Sequence, residues 1–200
     1  MDSQTSPPPY LWRSALLALT LALTAGAALA VAIGAGWHAP HPPSPPAAQQ
    51  AGPLSLQVTQ PHTQTLLLLG DVGETFAFEA TAMPLQSSGR SGYGLAFGCR
   101  ADRCAVFAVD TDGYMAVLQI DGGQETPLVD WQLFPHIRRG QAANRLRLAC
   151  ADASCHGWIN DEYAVTFVWP EAGGELGLWG CRLEGVQVGF AFQDLTIWHK

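Results

Sequence analysis

Two short turns interrupt residues 92 to 120, and the pattern on either side of them leaves this stretch few ways to fold. Tyr93, Leu95, Phe97 and Cys99 occupy every second position, with Gly94, Ala96 and Gly98 between them. Neighbouring side chains of a strand point to opposite faces, so this period predicts a strand with one large face and one small one. Arg100-Ala101-Asp102-Arg103 then turns the chain into Cys104-Ala-Val-Phe-Ala-Val-Asp110. Thr111-Asp112-Gly113 turns it again into Tyr114-Met-Ala-Val-Leu-Gln-Ile120. Asp-Gly is a hairpin signal because glycine accepts the positive φ that a tight turn demands. The stretch reads as a three-stranded antiparallel meander on which the rest of the domain packs.

The residues around it repeat the theme. Leu54, Leu56 and Val58 alternate, and so do Phe76, Phe78, Ala80 and Ala82; Leu66 to Leu69 reads as a buried run. Further strands are expected over 128–133, 144–150, 155–159, 163–169, 175–181 and 186–198. No 3.6-residue stripe follows residue 54, so at most a helical turn is expected there. About ten short strands with turn residues between them predict an all-β, two-sheet antiparallel sandwich of jelly-roll type over 54–200.

The first part of the chain is built differently. Residues 1–14 are polar and Pro-rich. From Ala15 to Trp37 no residue is charged over 23 positions, long enough for a helix to cross about 30 Å of hydrocarbon. A cleaved secretory signal is the alternative, with Ala28-Leu29-Ala30 as its small-x-small site. The apolar run continues through Val31, Ala32, Ile33 and Ala35, and Trp12 and Trp37 bracket it as interfacial aromatics do, which favours a transmembrane anchor. Arg13 precedes the span, and no Lys or Arg follows before Arg90. A single-pass protein with residues 1–14 in the cytoplasm and the C-terminal domain outside it is therefore expected. Residues 38–53 carry six prolines and read as an extended linker; His38 and His41 within it have no neighbouring ligand to suggest a metal.

Composition narrows the partners. Net charge is -7 with one lysine, Lys200, and without a basic stripe to neutralise phosphates nucleic acid is excluded as a partner. Cys99/Cys104 and Cys150/Cys155 each bracket four residues between expected strands, where facing positions have the separation a disulfide needs. Such bridges persist outside the cytoplasm, and each closes a small loop for roughly 2 kcal/mol. Cys181 is left as a buried thiol. A four-cysteine zinc site is the sharper alternative, but the C-x4-C spacing fits zinc knuckles poorly.

Five short motifs recur in a telling order: Tyr93-Gly94-Leu95-Ala96-Phe97, Asn144-Arg145-Leu146, Trp158-Ile159-Asn160-Asp161, Gly174-Glu175-Leu176-Gly177-Leu178 and Phe192-Gln193-Asp194-Leu195. Together they resemble concanavalin A-like lectin/glucanase domains over about 54–200, closest to the laminin-G-like and 3-keto-disaccharide-hydrolase-like modules of bacterial envelope proteins. The resemblance implies a jelly roll with one concave sheet that often carries a sugar or other envelope ligand. The chain departs from it in three places. Asn160-Asp161 stands where Asn-Gly is common; Gln193 stands where an Asp often follows the terminal Phe; and the Glu-x-Asp-x-x-Glu strand of the glucan-hydrolysing relatives is missing.

Chemistry-bearing residues are correspondingly few. Glycoside hydrolysis requires two carboxyl groups flanking the bond; Asp110 and Asp112 border a turn and read as turn residues. Asp110-Thr111-Asp112-Gly113 lacks the distal Glu of a calcium loop. No metal site and no cofactor is expected, with structural calcium elsewhere left open. His136 and His156 have no Gly-x-Ser-x-Gly partner. Sugar rings have apolar faces and hydroxylated rims, which aromatic side chains with a few polar neighbours can hold. Trp131, beside Asp130 and Gln132 and near Arg138 and Arg139, is expected to be exposed, and Trp131, Tyr114, Trp158 and Arg138 are the candidate ligand-binding residues. The reading is a binding module for a carbohydrate or cell-envelope polymer; a glycoside hydrolase-like enzyme and a protein-interaction or structural domain are the alternatives.

Overall fold

The computed structural model describes residues 17–28, 49–60, 63–86, 89–151, 153–185 and 188–199. The chain divides into two units, Met1–His41 and Pro42–Lys200. In the first, a helix runs over 17–28 with its leucines exposed. At 1.5 Å per residue it rises about 18 Å, short of the ~30 Å of a hydrocarbon core. No helix among the described residues is long and apolar enough to cross a membrane. The tail 1–14, the rest of the expected span (15, 16 and 29–37) and linker residues 38–48 lie outside the described residues.

In the second unit thirteen strands are described: β1 (Gln49–Ala51), β2 (Leu54–Val58), β3 (Gln64–Val72), β4 (Phe76–Gln86), β5 (Ser91–Arg100), β6 (Arg103–Asp110), β7 (Tyr114–Asp121), β8 (Gln124–Leu133), β9 (Asn144–Ala151), β10 (Ser154–Ile159), β11 (Glu162–Val168), β12 (Gly174–Arg182) and β13 (Val188–His199). They form two antiparallel sheets. One runs β1-β13-β4-β9-β10-β11, with β2 also paired to β13; the other runs β3-β12-β5-β6-β7-β8. The end of the expected linker is thus not linker: Gln49 to Ala51 pair with Leu195 to Ile197. The edge of β13 supplies backbone partners that a free polyproline segment lacks, and Gly52-Pro53 separates this short strand from β2.

The alternation of the sequence sorts residues into layers as its period requires. Phe76, Phe78, Ala80 and Ala82 of β4 meet Tyr93, Leu95 and Phe97 of β5, Phe107 and Val109 of β6, and Phe190 and Phe192 of β13 in one core between the sheets. Leu66 to Leu69 departs from the expected buried run. β3 is an edge strand in which Leu67 and Leu69 pack on the core while Leu66 and Leu68 are exposed.

Cys99 departs from the strand pattern too. Gly98 takes φ +58°, and the β5–β6 register shifts between Phe97 and Arg100. The extra residue is a β-bulge, which moves every later side chain to the other face. A side chain at Gly98 would also run into Trp169 Nε1, 2.5 Å from where its Cβ would stand. Cys99 therefore leaves the Tyr93/Phe97 face and joins Cys104 on the outside of the sheet. Both expected disulfides, Cys99–Cys104 and Cys150–Cys155, are present, and Cys181 is free and buried.

Strands β5 and β6 lie so close at Gly94 that a Cβ there would stand 2.2 Å from the Phe107 carbonyl oxygen. Since that atom is backbone, the strands would have to part. Gly94→Ala is expected to cost about 1–3 kcal/mol, read as a lower urea midpoint at unchanged m-value; an unchanged midpoint would contradict the close approach.

Candidate functional site

The outer face of the β3–β8 sheet is the concave one. Gln64, at the start of edge strand β3, donates its side-chain amide to the carbonyl of Gly123 in the β7–β8 turn at 3.1 Å. Those residues stand at opposite corners of a six-stranded sheet, and they meet only if the sheet coils around its outer face. The floor of that concavity is apolar and sealed. Ala96, Val106, Ala108, Ala116, Leu118, Ile120 and Trp179 form a second core there, with Trp131 packed against it. Gln64 also accepts a hydrogen bond from Trp179 Nε1 at 2.9 Å. A ligand is thus offered the rim of the concave face and not its floor.

At that rim the β6–β7 turn brings polar and aromatic groups together. Asp110 is the last residue of β6 and is fully buried. Its Oδ1 accepts the backbone N–H groups of Asp112 (3.0 Å) and Tyr114 (2.8 Å), which is the turn role expected from the sequence. Its Oδ2 has a second task, pairing with Arg90 Nε at 2.7 Å. The Arg90 side chain remains 32% exposed, and its guanidinium carbon lies 5.2 Å from the Tyr114 ring centroid and 5.7 Å from that of Trp131. These distances suit cation–π contact. Burial pushes the Arg90 pKa down, but the hydrogen bond and charge of Asp110, helped by Asp112 and Tyr114, leave it raised, so the group stays cationic.

The segment 134–140 is docked beside this turn: Phe134 N donates to Gly113 O at 3.0 Å and Gly140 N to Thr111 O at 2.8 Å. It lays Arg139 across Gly113, where a Cβ would stand 2.9 Å from Arg139 Nε.

Of the four candidate residues, Trp131 and Tyr114 are thus brought together; Tyr114 is exposed, while Trp131, expected to be exposed, is half-buried because it packs against the outer core. Arg138 has an exposed side chain on the same segment, and its backbone N–H and carbonyl clamp Asn144. Trp158 is elsewhere: it is 3% exposed on the outer face of the other sheet, among Ala77, Ala149, Tyr163 and Trp198. Its ring is covered by its neighbours and is no open platform. Arg90, Asp110 as an ion-pair partner and Arg139 were not singled out as ligand groups. The chain offers no local sign of them, because register alone joins Arg90 to a carboxylate twenty residues away.

Two other features of the expected chemistry can be placed. Among the described residues no group of three or more His, Cys, Asp or Glu side chains is arranged to hold a metal. A polar cleft of about 620 Å³ opens at the far end of the sandwich beside Asp71, Glu74, Arg100 and Glu175, away from the aromatic rim.

No protein-family model and no curated protein matches the chain. Solved structures do. The carbohydrate-binding module CBM66 from Bacillus subtilis superposes with a TM-score of 0.59 at 14% identity, over 80% of this chain and 99% of the module. A functionally unknown protein from Saccharomyces cerevisiae follows with a TM-score of 0.56 at 12% identity, over 78% of this chain and 94% of that one. An Aspergillus kawachii β-fructofuranosidase complexed with glycerol matches with a TM-score of 0.54 at 11% identity, over 77% of this chain and 27% of the enzyme. The shared feature is the fold. It is an all-β, two-sheet antiparallel sandwich that fits the expected jelly roll.

Proposed function

We propose that the domain binds a carbohydrate at the rim of its concave sheet, through Trp131, Tyr114 and Arg90. The observation that carries this reading is the Arg90–Asp110 pair set between two aromatic rings at an open edge. Buried Asp110 fixes the guanidinium, so its exposed N–H groups are held ready for hydroxyl oxygens without ordering a free arginine at the moment of binding. The rings add apolar surface for the face of a sugar. Asp110 compensates the arginine charge, which suits a neutral saccharide, and the net charge of -7 disfavours a polyanion. The likeness in fold to a carbohydrate-binding module supports the reading by analogy.

The same proposal places the domain outside the cytoplasm, tethered through residues 15–37. Two disulfides, an uncharged 23-residue segment and a Pro-rich stretch support it. Fractionation, with protease access to the domain in intact cells, tests the location.

The binding test uses the full chain in detergent with neutral tetrasaccharides of glucose, fructose and galactose, by calorimetry with and without calcium. Trp131→Ala is expected to weaken binding at least tenfold; because Trp131 also packs against the outer core, urea unfolding of the variant shows that it remains folded under the binding conditions. Equal affinity in wild type and variant would remove the rim from consideration. No binding to any sugar by the folded protein would turn the search to protein partners.

A further inference from the structure

The rim's constellation has a counterpart on the opposite side of the sandwich. Strand register places Thr196, Glu79, Arg147, Trp158 and Tyr163 in one row across the outer face of the β1–β13 sheet. Beside it runs a second row of Trp198, Ala77, Ala149, His156 and Thr166. Glu79 and Arg147 pair at 3.5 Å, each side chain 18% exposed. The Arg147 guanidinium carbon lies 5.2 Å from the Trp198 ring centroid. Trp158 meets Tyr163 edge to face at 6.3 Å, and the Tyr163 hydroxyl donates to Thr166 Oγ1 at 2.7 Å.

The charged and aromatic parts match the concave rim. A carboxylate compensates and fixes an arginine, the arginine covers an aromatic ring, and hydroxyl groups lie alongside. As at the concave face, the centre is covered, with Ala77, Ala149 and Trp158 buried, and only its edges are open. Trp198 and Tyr163 are half-buried and Thr166 is exposed, although the face is on the outside of the sheet. Ala77 and Ala149 are buried beneath the rings, so a ligand is offered the open parts of Trp198 and Tyr163 beside Arg147. Charges are again balanced, by Glu79 on Arg147 and by Asp161 on Arg145.

We infer that this face is a second site for a neutral saccharide, so that one domain is divalent. The inference rests on the proposed function, because it assigns the second face the same ligand class as the rim. The two faces look away from each other across the sandwich, so a short oligosaccharide cannot occupy both. A long polymer would instead be cross-linked between domains or with its own distant segments.

The experiment is a calorimetric titration of the full chain with whichever neutral tetrasaccharide binds. Two equivalents are expected, falling to one in Trp131→Ala, to one in Trp198→Ala and to none in the double variant. Trp198→Phe keeps a ring beneath Arg147 should the alanine variant fail to fold; it is expected to weaken one of the two sites about tenfold. The long-chain form of the same glycan is expected to form turbid complexes with wild type and not with either folded single-site variant. One equivalent that disappears in Trp131→Ala and persists unchanged in the Trp198 variants would overturn the second site and leave the rim standing. One equivalent that depends on Trp198 alone would overturn both the divalency and the rim. Absence of any binding would overturn the carbohydrate reading itself.

Discussion

Asn144→Ala is expected to destabilise the domain by about 3–5 kcal/mol, far more than an ordinary surface change. Asn144 is fully buried at the start of β9. Its Oδ1 accepts the Arg138 N–H at 2.8 Å and an Asn160 amide hydrogen at 2.7 Å. Its Nδ2 donates to the Tyr93 hydroxyl and the Arg138 carbonyl, both at 2.8 Å, and more distantly to the Ala142 carbonyl at 3.3 Å. Removing the amide strands the buried Tyr93 hydroxyl and several part-buried groups of Arg138 and Asn160 at once, and a buried group left unpaired costs roughly 1–3 kcal/mol.

The consequence extends to the rim. Asn144 holds the main chain of Arg138, and Asn160 holds the His136 carbonyl at 2.8 Å, so the two asparagines fix the segment that lies beside the Tyr114 turn. Asn144→Asp keeps the acceptor and loses the donors, and is expected to be destabilised as well. Urea unfolding of the two variants, with limited proteolysis at 134–142, is the check. A loss under about 1 kcal/mol in Asn144→Ala would show that the network is not a support of the fold.

How much of this the sequence carried depends on the range of the interaction. Period 2 was enough to place Phe76, Phe78, Ala80 and Ala82 in the core, because alternation is a property of one strand. Both cysteine pairs were readable for the same reason: each is closed across one tight hairpin. Asn160 and Asp161 both take positive φ, 52° and 72°, which is the turn their place between two strands required. Cys99 lies on the face opposite to the one its alternation predicts, because one bulge at Gly98 reverses a pattern that is otherwise unbroken. Leu66 to Leu69 predicts a buried strand although it forms an edge, because an apolar run looks the same on an edge strand as in a centre.

The proposed site is half legible in the sequence. Trp131 is marked in the sequence by its polar neighbours, and Tyr114 only by its aromatic ring. Arg90 is not marked, since its meaning comes from Asp110, and the strand register that joins them is a property of the whole sheet. Trp158 and Trp131 are indistinguishable by composition; only the layering separates a covered ring from a rim ring.

Alkaline pH is expected to unfold this domain through two named groups. Burial pushes the Cys181 thiol up to about 12 from an ordinary 9.0, with the charges of Glu125 and Asp110 adding and a Gly92 backbone hydrogen bond and Arg90 opposing. Burial likewise pushes the Tyr93 hydroxyl up to about 12 from 10.0, opposed by its hydrogen bond to Asn144. The unfolded chain therefore releases the thiol proton above pH 9 and the phenol proton above pH 10, while the folded chain keeps both until about 12. The folded state then binds more protons, so stability is fully present below pH 9 and falls as pH rises.

Each group contributes a slope of about 1.4 kcal/mol per pH unit, giving a total loss on the order of 7 kcal/mol by pH 12. That is comparable with the whole stability of a typical domain. Few other groups obscure the limb, because the chain has one lysine and four tyrosines and four of its five cysteines are bridged. Cys181→Ala is expected to flatten the curve between pH 9 and 10, and Tyr93→Phe to halve the slope above pH 10. Either variant can shift the absolute stability through lost packing, but packing does not depend on pH, so the slope is the discriminating quantity. Urea midpoints at half-unit steps from pH 8 to 11.5 measure it. A Cys181→Ala curve parallel to wild type throughout would show that the thiol ionises as freely in the folded domain as in the unfolded chain.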